Sequence, residues 1–326
     1  MTRCVVTGGA GFIGSSLVRS LLSAGYKVDV IDNLSTGRLD NLEELADDIN
    51  VYEYDLRHYE KIAGIIKGAY RVFHLGALPS VPKSIAEPVP SHESNIDGTF
   101  NVLLAAVAGN VGRVVYAASS SAYGDTEVLP KVETMTPRPK SPYAVQKLLG
   151  EYYASAFSAC YELETVSLRF FNVFGPRQDP SSTYSGVLSI FLTCLIERRS
   201  PVIYGDGEQS RDFTYVEDVV GLLLKASEAR GVSGNVYNAG NGNRHTLNQT
   251  WAMLQRMEGV ELPATYAPPR AGDVRHSQAD ITAAVRDLGH EPSFTFEQGL
   301  RLTLDWYRAG MMQKAARPGV LEAGGR

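Results

Sequence analysis

Short apolar runs alternate with stretches of helical periodicity through the first half of the chain. Runs at 3–7, 27–31, 50–54, 70–75, 112–117 and 164–169 read as six buried-looking strands. Between them, 12–25, 92–109 and 141–160 place apolar residues at helical spacing. Strands of this kind with helices between them predict an α/β fold with a doubly wound parallel sheet, Rossmann-like. After about residue 175 the texture changes. Pro, Gly and charged residues cluster at 175–182, 205–212 and 263–275, with helices predicted near 184–198, 215–229, 246–257 and 295–309. The pattern predicts a dinucleotide-binding domain over 1–175 plus about 212–240, where the chain crosses back to the sheet. A smaller mixed α/β substrate domain takes 176–211 and 241–312. Beyond Gly310 the sequence is small and polar, and 313–326 reads as a flexible tail.

Composition narrows the function classes. The 326 residues are 44% hydrophobic, enough to bury a sizeable core. Lys and Arg number 31 against 36 Asp and Glu, a net charge of −5, which argues against a nucleic-acid binder or a binder of anionic membranes. No apolar run reaches transmembrane length, and MTRCVVTGG leads into a strand and a glycine loop instead of a signal peptide. A cytoplasmic location is therefore expected. Cys4, Cys160 and Cys194 are widely spaced, and no CxxC or HExxH pattern occurs. Neither a disulfide framework nor a metal site is indicated.

Strand RCVVT is followed by Gly8, Gly11 and Gly14 and then by the helical SSLVRSLLSAG. Glycine at this spacing permits a tight turn, close backbone approach to a pyrophosphate, and tight packing of helix on sheet. The phosphates would sit at the helix N-terminus, where free N–H groups point. Asp32 ends VDVID, 18 residues after Gly14, where a carboxylate can accept the hydroxyls of an adenosine ribose. It would repel a 2′-phosphate, so NAD is expected over NADP; nearby Arg38 is the one feature pointing the other way. Asp55, at the end of the next strand, either reaches the adenine or is a surface-loop aspartate.

In Ser141-Pro142-Tyr143-Ala144-Val145-Gln146-Lys147, Ser141 reads as a helix N-cap and Pro142 as the first helical residue. A spacing of four puts Tyr143 and Lys147 on one face. A phenol needs roughly 4 kcal/mol of help to ionise at neutral pH. One ammonium about 5 Å away, at an effective dielectric of ~20, supplies about 3 kcal/mol. Lys147 alone is marginal, and a cationic nicotinamide ring beside it could close the gap. Taken alone, the pair is equally an amphipathic helix with a snorkelling lysine. Ser119-Ser120-Ser121, directly after strand VVYAA, shifts the balance, because ligands bind at the carboxyl ends of such strands. His74 reads as a core or cofactor-lining histidine and His276 as pocket wall.

TGGAGFIG, DNLSTGR (32–38), SSSAYG (119–124), SPYAVQK (141–147), LRFFNVFGPRQDP (168–180), YGDGEQSRDF (204–213) and PRAGDVRHS (269–277) resemble the extended short-chain dehydrogenase/reductases, specifically the nucleotide-sugar epimerases and dehydratases. The resemblance covers almost the whole chain. It implies Tyr143 as base on the sugar hydroxyl, and Lys147 as holder of the nicotinamide ribose that lowers the tyrosine pKa. Ser119 falls on the catalytic hydroxyl. The cofactor site it implies adds Phe12, Ile13, Asn33, Ser35, Thr36, Gly37, Leu56, Leu75, Ala77, Asn95, Phe170 and Val173. For the UDP-sugar it implies Ser80, Ser120, Asn172, Val187 and Tyr204, with Arg211 and Arg270 on the diphosphate and Asp273 on the nucleotide ribose. Departures are mild: Gly76 replaces a usual alanine and Phe170 a frequent tyrosine. A homodimer through helices 92–109 and 141–160 is implied too, although their apolar residues could equally pack on the sheet.

Family members begin by oxidising the sugar at C4 and differ in the fate of the keto sugar. Dehydratases place an Asp-Glu pair after the catalytic hydroxyl, and decarboxylases a Glu near there, because elimination needs carboxylates. Here Ser120 and Ser121 hold those positions, which favours 4-epimerisation. PRQDP and DVRHS resemble the UDP-N-acetylglucosamine 4-epimerases most, with the small Ser277 leaving room for a 2-acetamido group. Plain UDP-glucose/galactose is the close second. UDP-glucuronate 4-epimerases carry a basic residue where Asp179 stands. The other readings are a dehydratase or decarboxylase and, from another class, an NAD(P)-sensing regulator without turnover.

Overall fold

The computed structural model of the chain describes residues 2–179, 186–269 and 274–316. Seven parallel strands form the central sheet: β1 (Arg3–Thr7), β2 (Lys27–Ile31), β3 (Ile49–Tyr52), β4 (Arg71–His74), β5 (Arg113–Ser119), β6 (Thr165–Phe170) and β7 (Asn235–Ala239). Their order is β7-β6-β5-β4-β1-β2-β3. The sheet therefore winds outward in both directions from β1 and β4, and the carboxyl ends of these two flank the crevice where such folds take ligands. The expected six strands appear within a residue or two. The seventh is the returning segment, with Asn235 to Ala239 registered against Val166 to Phe170.

Helices cover both faces because the strand side chains on both faces are apolar. Val6, Phe73, Val115 and Val166 lie in one large buried cluster with Leu17 and Leu21 of the helix Phe12–Ser23. Val5, Val72 and Val114 lie in the other, with Val102 and Leu103 of the helix Gly98–Ala108. The helix predicted over 92–109 is broken up. A short helix Pro88–His92 leads into a π-helical stretch Glu93–Asp97, which rejoins regular helix at Gly98.

Beyond β6, helices Val187–Ile196, Leu247–Glu258 and Phe296–Ala316 pack with short strand pairs. The last helix runs on to Ala316, so residues 313–316, expected in the flexible tail, are helical. Residues 317–326 lie outside the described residues.

The helix Pro142–Tyr161 crosses β5 closely enough to matter for the site. Ser141 caps it by accepting the Ala144 N–H at 3.2 Å, and Pro142 is its first residue, as the sequence predicts. At Gly150 a Cβ would stand 2.2 Å from the Tyr116 hydroxyl, so only glycine lets the helix settle on the strand.

Candidate active site

A cleft of about 1180 Å³ opens along the carboxyl ends of β1, β2, β4, β5 and β6. Its floor is the loop after β1. Gly8 takes a φ of +70°, and a Cβ on Gly14 would sit 2.1 Å from the Gly8 carbonyl oxygen. The loop thus closes on itself in a way only glycine permits. Gly11 is the N-cap of the helix Phe12–Ser23, with no side chain capping its first turn and no acidic residue in it. An anion meets backbone N–H groups there. Asp32 ends the opposite wall, with its two oxygens accepting the Ala10 and Leu34 N–H groups at 2.9 Å each. Burial pushes its carboxyl up, and those two N–H groups pull it back. Asp55 accepts from Asn33 Nδ2 at 2.8 Å and from Arg57 Nε at 3.0 Å. Burial would raise it, but these partners hold it at about 2. The cradle, the bare helix end and the acidic wall fit a dinucleotide without a 2′-phosphate.

Ser119, the last residue of β5, and Tyr143 and Lys147, one turn apart on the helix Pro142–Tyr161, all line this cleft. The Tyr143 N–H donates to Ser84 Oγ at 3.1 Å, tying the helix start to the helix Val81–Ala86. Lys147 Nζ donates to the Ala117 carbonyl at 2.7 Å and sits 4.8 Å from the centre of the Tyr116 ring. Burial draws the Lys147 ammonium down to about 8, with the Glu151 carboxylate opposing. Burial also pushes the Tyr143 phenol up to about 12, against a hydrogen bond from Ser119. This corrects the electrostatic reading of the sequence. Desolvation of both groups outweighs the attraction across one helical turn, and Ser119, not Lys147, is what relieves the phenol.

Most of the sequence-predicted residues meet here. Gly8, Gly11, Phe12, Ile13, Asn33, Ser35, Thr36, Gly37, Leu56, Leu75, Ala77, Ser80, Ser120, Phe170, Asn172, Val173, Arg211 and Ser277 line the same cleft. Val187 and Tyr204 line an adjoining cavity of about 280 Å³, which shares Asn172, Val173 and Arg211 with the main cleft. Asn95 does not reach it. Its amide is buried under the wall, accepting the Leu78 N–H at 2.7 Å and donating to Gln146 at 2.8 Å. Arg270 and Asp273 lie outside the described residues. The cleft also takes in polar residues that sequence reasoning missed, among them Ser121, Lys83, Lys131 and Gln178. Ser121 was visible in the serine run; the other three carry no local signal that separates them from surface polar residues.

Such a cleft is what a dinucleotide-binding enzyme of the extended short-chain dehydrogenase/reductase type presents. Comparison with known proteins narrows it: the chain belongs to the NAD dependent epimerase/dehydratase family, whose model matches residues 4–240. A structure of UDP-N-acetylglucosamine 4-epimerase from Methanobrevibacter ruminantium, in complex with UDP-N-acetylmuramic acid, superposes with a TM-score of 0.91 at 38% identity. That match covers 95% of this chain and 99% of that one. UDP-glucose 4-epimerase of Mycolicibacterium smegmatis is 35% identical over 94% of this chain and 98% of its own. UDP-N-acetyl-alpha-D-glucosaminuronate decarboxylase of Bacillus cytotoxicus is 29% identical over 94% of this chain and 98% of its own. The protein is an NAD-dependent enzyme of the isomerase type. No helix among the described residues is long and apolar enough to cross a membrane.

Proposed function

We propose that the protein epimerises a UDP-hexose at C4, with UDP-N-acetylglucosamine/UDP-N-acetylgalactosamine as the preferred pair and UDP-glucose/UDP-galactose as a second. Tyr143 takes the proton of the sugar 4-hydroxyl, and Ser119 donates to the same oxygen. NAD, when bound, accepts the hydride and gives it back. Lys147, whose ammonium donates to the Ala117 carbonyl, would hold the nicotinamide ribose. The phenol at about 12 leaves on the order of 7 kcal/mol to be found before it is half ionised at neutral pH. The Ser119 hydrogen bond is already counted in that value, so the gap is left to the Lys147 charge and to the cationic nicotinamide ring that NAD would bring. Once the 4-keto sugar has turned over, the hydride returns to its other face and Tyr143 gives the proton back.

The observation that carries this reading is the chemistry around Ser119. The carboxylates lining the described cleft are Asp32, Asp55 and Asp179, on the loops after β2 and β3 and on segment 175–179. Among the described residues, the two positions that follow Ser119 are Ser120 and Ser121, and neither carries a carboxylate. Elimination of water from the keto sugar needs an acid and a base there, whereas return of hydride asks of the protein's own side chains only Tyr143 and Ser119. Arg211, lining both cavities, suits the diphosphate, as does Arg270 from the sequence; Asp273 suits the nucleotide ribose. Asp179 faces the cleft and pairs with Arg38 at 3.7 Å, which disfavours a uronate carboxylate at that point.

A homodimer is part of the proposal. Phe100, Leu104, Val145, Tyr152 and Tyr153 are exposed on the helices Gly98–Ala108 and Pro142–Tyr161, where a second copy would cover them. We also propose the two-domain division at 1–175 with 212–240 against 176–211 with 241–312, and a cytoplasmic site of action. The test is direct. Purified protein, with no cofactor added, is incubated separately with UDP-N-acetylglucosamine, UDP-glucose and UDP-glucuronate, and products are read by NMR. A 4-epimer formed fastest from the acetamido sugar is the expected result. A 4-keto-6-deoxy sugar or a pentose overturns the proposal, and sedimentation of a monomer at micromolar concentration overturns the dimer.

A further inference from the structure

We infer that Ser121 is a positioning residue for the reaction, holding Ser119 in the one hydrogen-bond polarity that the reacting sugar oxygen requires. The inference rests on the reading of Ser119 as donor to that oxygen.

A serine hydroxyl has one hydrogen to give and two lone pairs to receive. At Ser119 both receiving positions are filled from a single residue. The Ser121 N–H donates to Ser119 Oγ at 3.2 Å, and the Ser121 hydroxyl donates to it at 2.9 Å. Ser119 is at once the last residue of β5 and the cap of the short 3-10 turn Ser120–Tyr123. Its side chain is therefore fixed by the backbone of the turn it caps, and the only function left to its hydroxyl is to donate. The group it faces is Tyr143, whose phenol it relieves.

This polarity matches what the chemistry asks. As the carbon gives up hydride, the sugar oxygen passes its proton to Tyr143 and becomes a carbonyl oxygen. As hydride returns, that oxygen gains electron density before Tyr143 reprotonates it. In both directions the second partner must donate. A Ser119 free to rotate would part of the time accept the sugar proton, competing with Tyr143 for it. Two bonds from Ser121 remove that arrangement before substrate arrives. A chain of two hydroxyls also polarises each member, strengthening the terminal donor. Ser121 lines the cleft and is only partly buried, so its hydroxyl carries no large share of the fold's stability.

The test is a double-mutant cycle on Ser119→Ala, Ser121→Ala and the pair, with Ser121→Thr and Ser121→Cys beside them. Steady-state rates with UDP-N-acetylglucosamine and UDP-glucose are normalised to protein-bound NAD, and a thermal melt is recorded for each variant. Ser121→Ala is expected to lower kcat roughly five- to tenfold with KM within about twofold. Ser121→Cys, similar in shape but a weak donor, gives the same loss, and Ser121→Thr restores most of the rate. The double variant is no slower than Ser119→Ala, because Ser121 acts through Ser119. A wild-type kcat in Ser121→Ala, or losses that multiply in the double variant, overturns the inference and leaves the role of Ser119 standing. A wild-type kcat in Ser119→Ala overturns that role and this inference with it.

Discussion

The Glu151 carboxylate grips the Arg169 guanidinium with both oxygens, at 2.9 and 2.7 Å, and both side chains are buried. Glu151 stands one helical turn beyond Lys147, and Arg169 pairs in register with Ala118 next to Ser119. The guanidinium also lies 4.6 Å from the centre of the Tyr123 ring. One ion pair thus ties the helix of Tyr143 and Lys147 to the strands that carry Ser119. It is also the source of the negative charge that keeps Lys147 from losing more of its proton affinity.

Breaking that pair from one side should cost stability. Glu151→Gln leaves the Arg169 charge buried without its partner, a loss of about 3–5 kcal/mol. Urea unfolding measures it. Replacing both residues together, Glu151→Leu with Arg169→Met, should recover most of the loss, because no charge is then stranded.

Tyr143→Phe removes the proton acceptor and little else. Activity should fall by roughly 10²–10⁴, while NAD released on denaturation stays stoichiometric with protein. Loss of NAD in this variant would mean that the phenol holds cofactor instead of moving protons.

His74 offers a pH test. It is buried between Thr7 and Thr99, at 2.7 and 2.9 Å, and burial holds it down at about 3, with the Lys147 charge adding to the effect. The unfolded chain takes up a proton there below about 6.5, and the folded chain does not. The stability associated with neutral His74 is therefore complete above about 6.5 and is lost as pH falls toward 3. Between pH 7 and 5 this amounts to about 2 kcal/mol. Wild type should lose that much more than His74→Asn over the same interval in chemical denaturation.

The glycine loop tolerates no methyl at its tightest point. Gly14→Ala would drive a carbon to 2.1 Å from the Gly8 carbonyl oxygen and force the loop open. The variant should purify without NAD and inactive, as read by absorbance of the extracted cofactor.

Ser277 sets the size of the sugar pocket in the proposed function. Its backbone N–H is fixed to Ser210 at 3.0 Å, so a larger side chain cannot swing away with the main chain. Ser277→Tyr should cut kcat/KM for UDP-N-acetylglucosamine at least tenfold and spare UDP-glucose, checked by coupled assay on both substrates.

How much of this the sequence carried depended on whether the physics was local. Gly8, Gly11 and Gly14 and the Ser141 cap are local devices, and each stands where the spacing placed it. The strands were legible because both faces of each are apolar, as Val5 and Val6, Val72 and Phe73, and Val114 and Val115 show. What failed needed the third dimension. Asn95 sits in a π-helical stretch that turns its amide inward to Leu78 and Gln146, and no periodicity signals that. The Tyr143–Lys147 arithmetic counted attraction across a turn but could not count burial, and burial reversed the sign. Ser121 was read as one of three hydroxyls at a ligand-binding strand end and for the carboxylate it lacks, but not for its bond to Ser119, which depends on the turn that Ser119 caps.

Gly150 has a reach beyond its own position. It lies seven residues past Tyr143 and touches neither ligand nor catalyst, yet it sets the height at which that tyrosine rides above the sheet. A single methyl there would act as a shim under the helix, spoiling proton transfer from a distance although no reacting group had been removed.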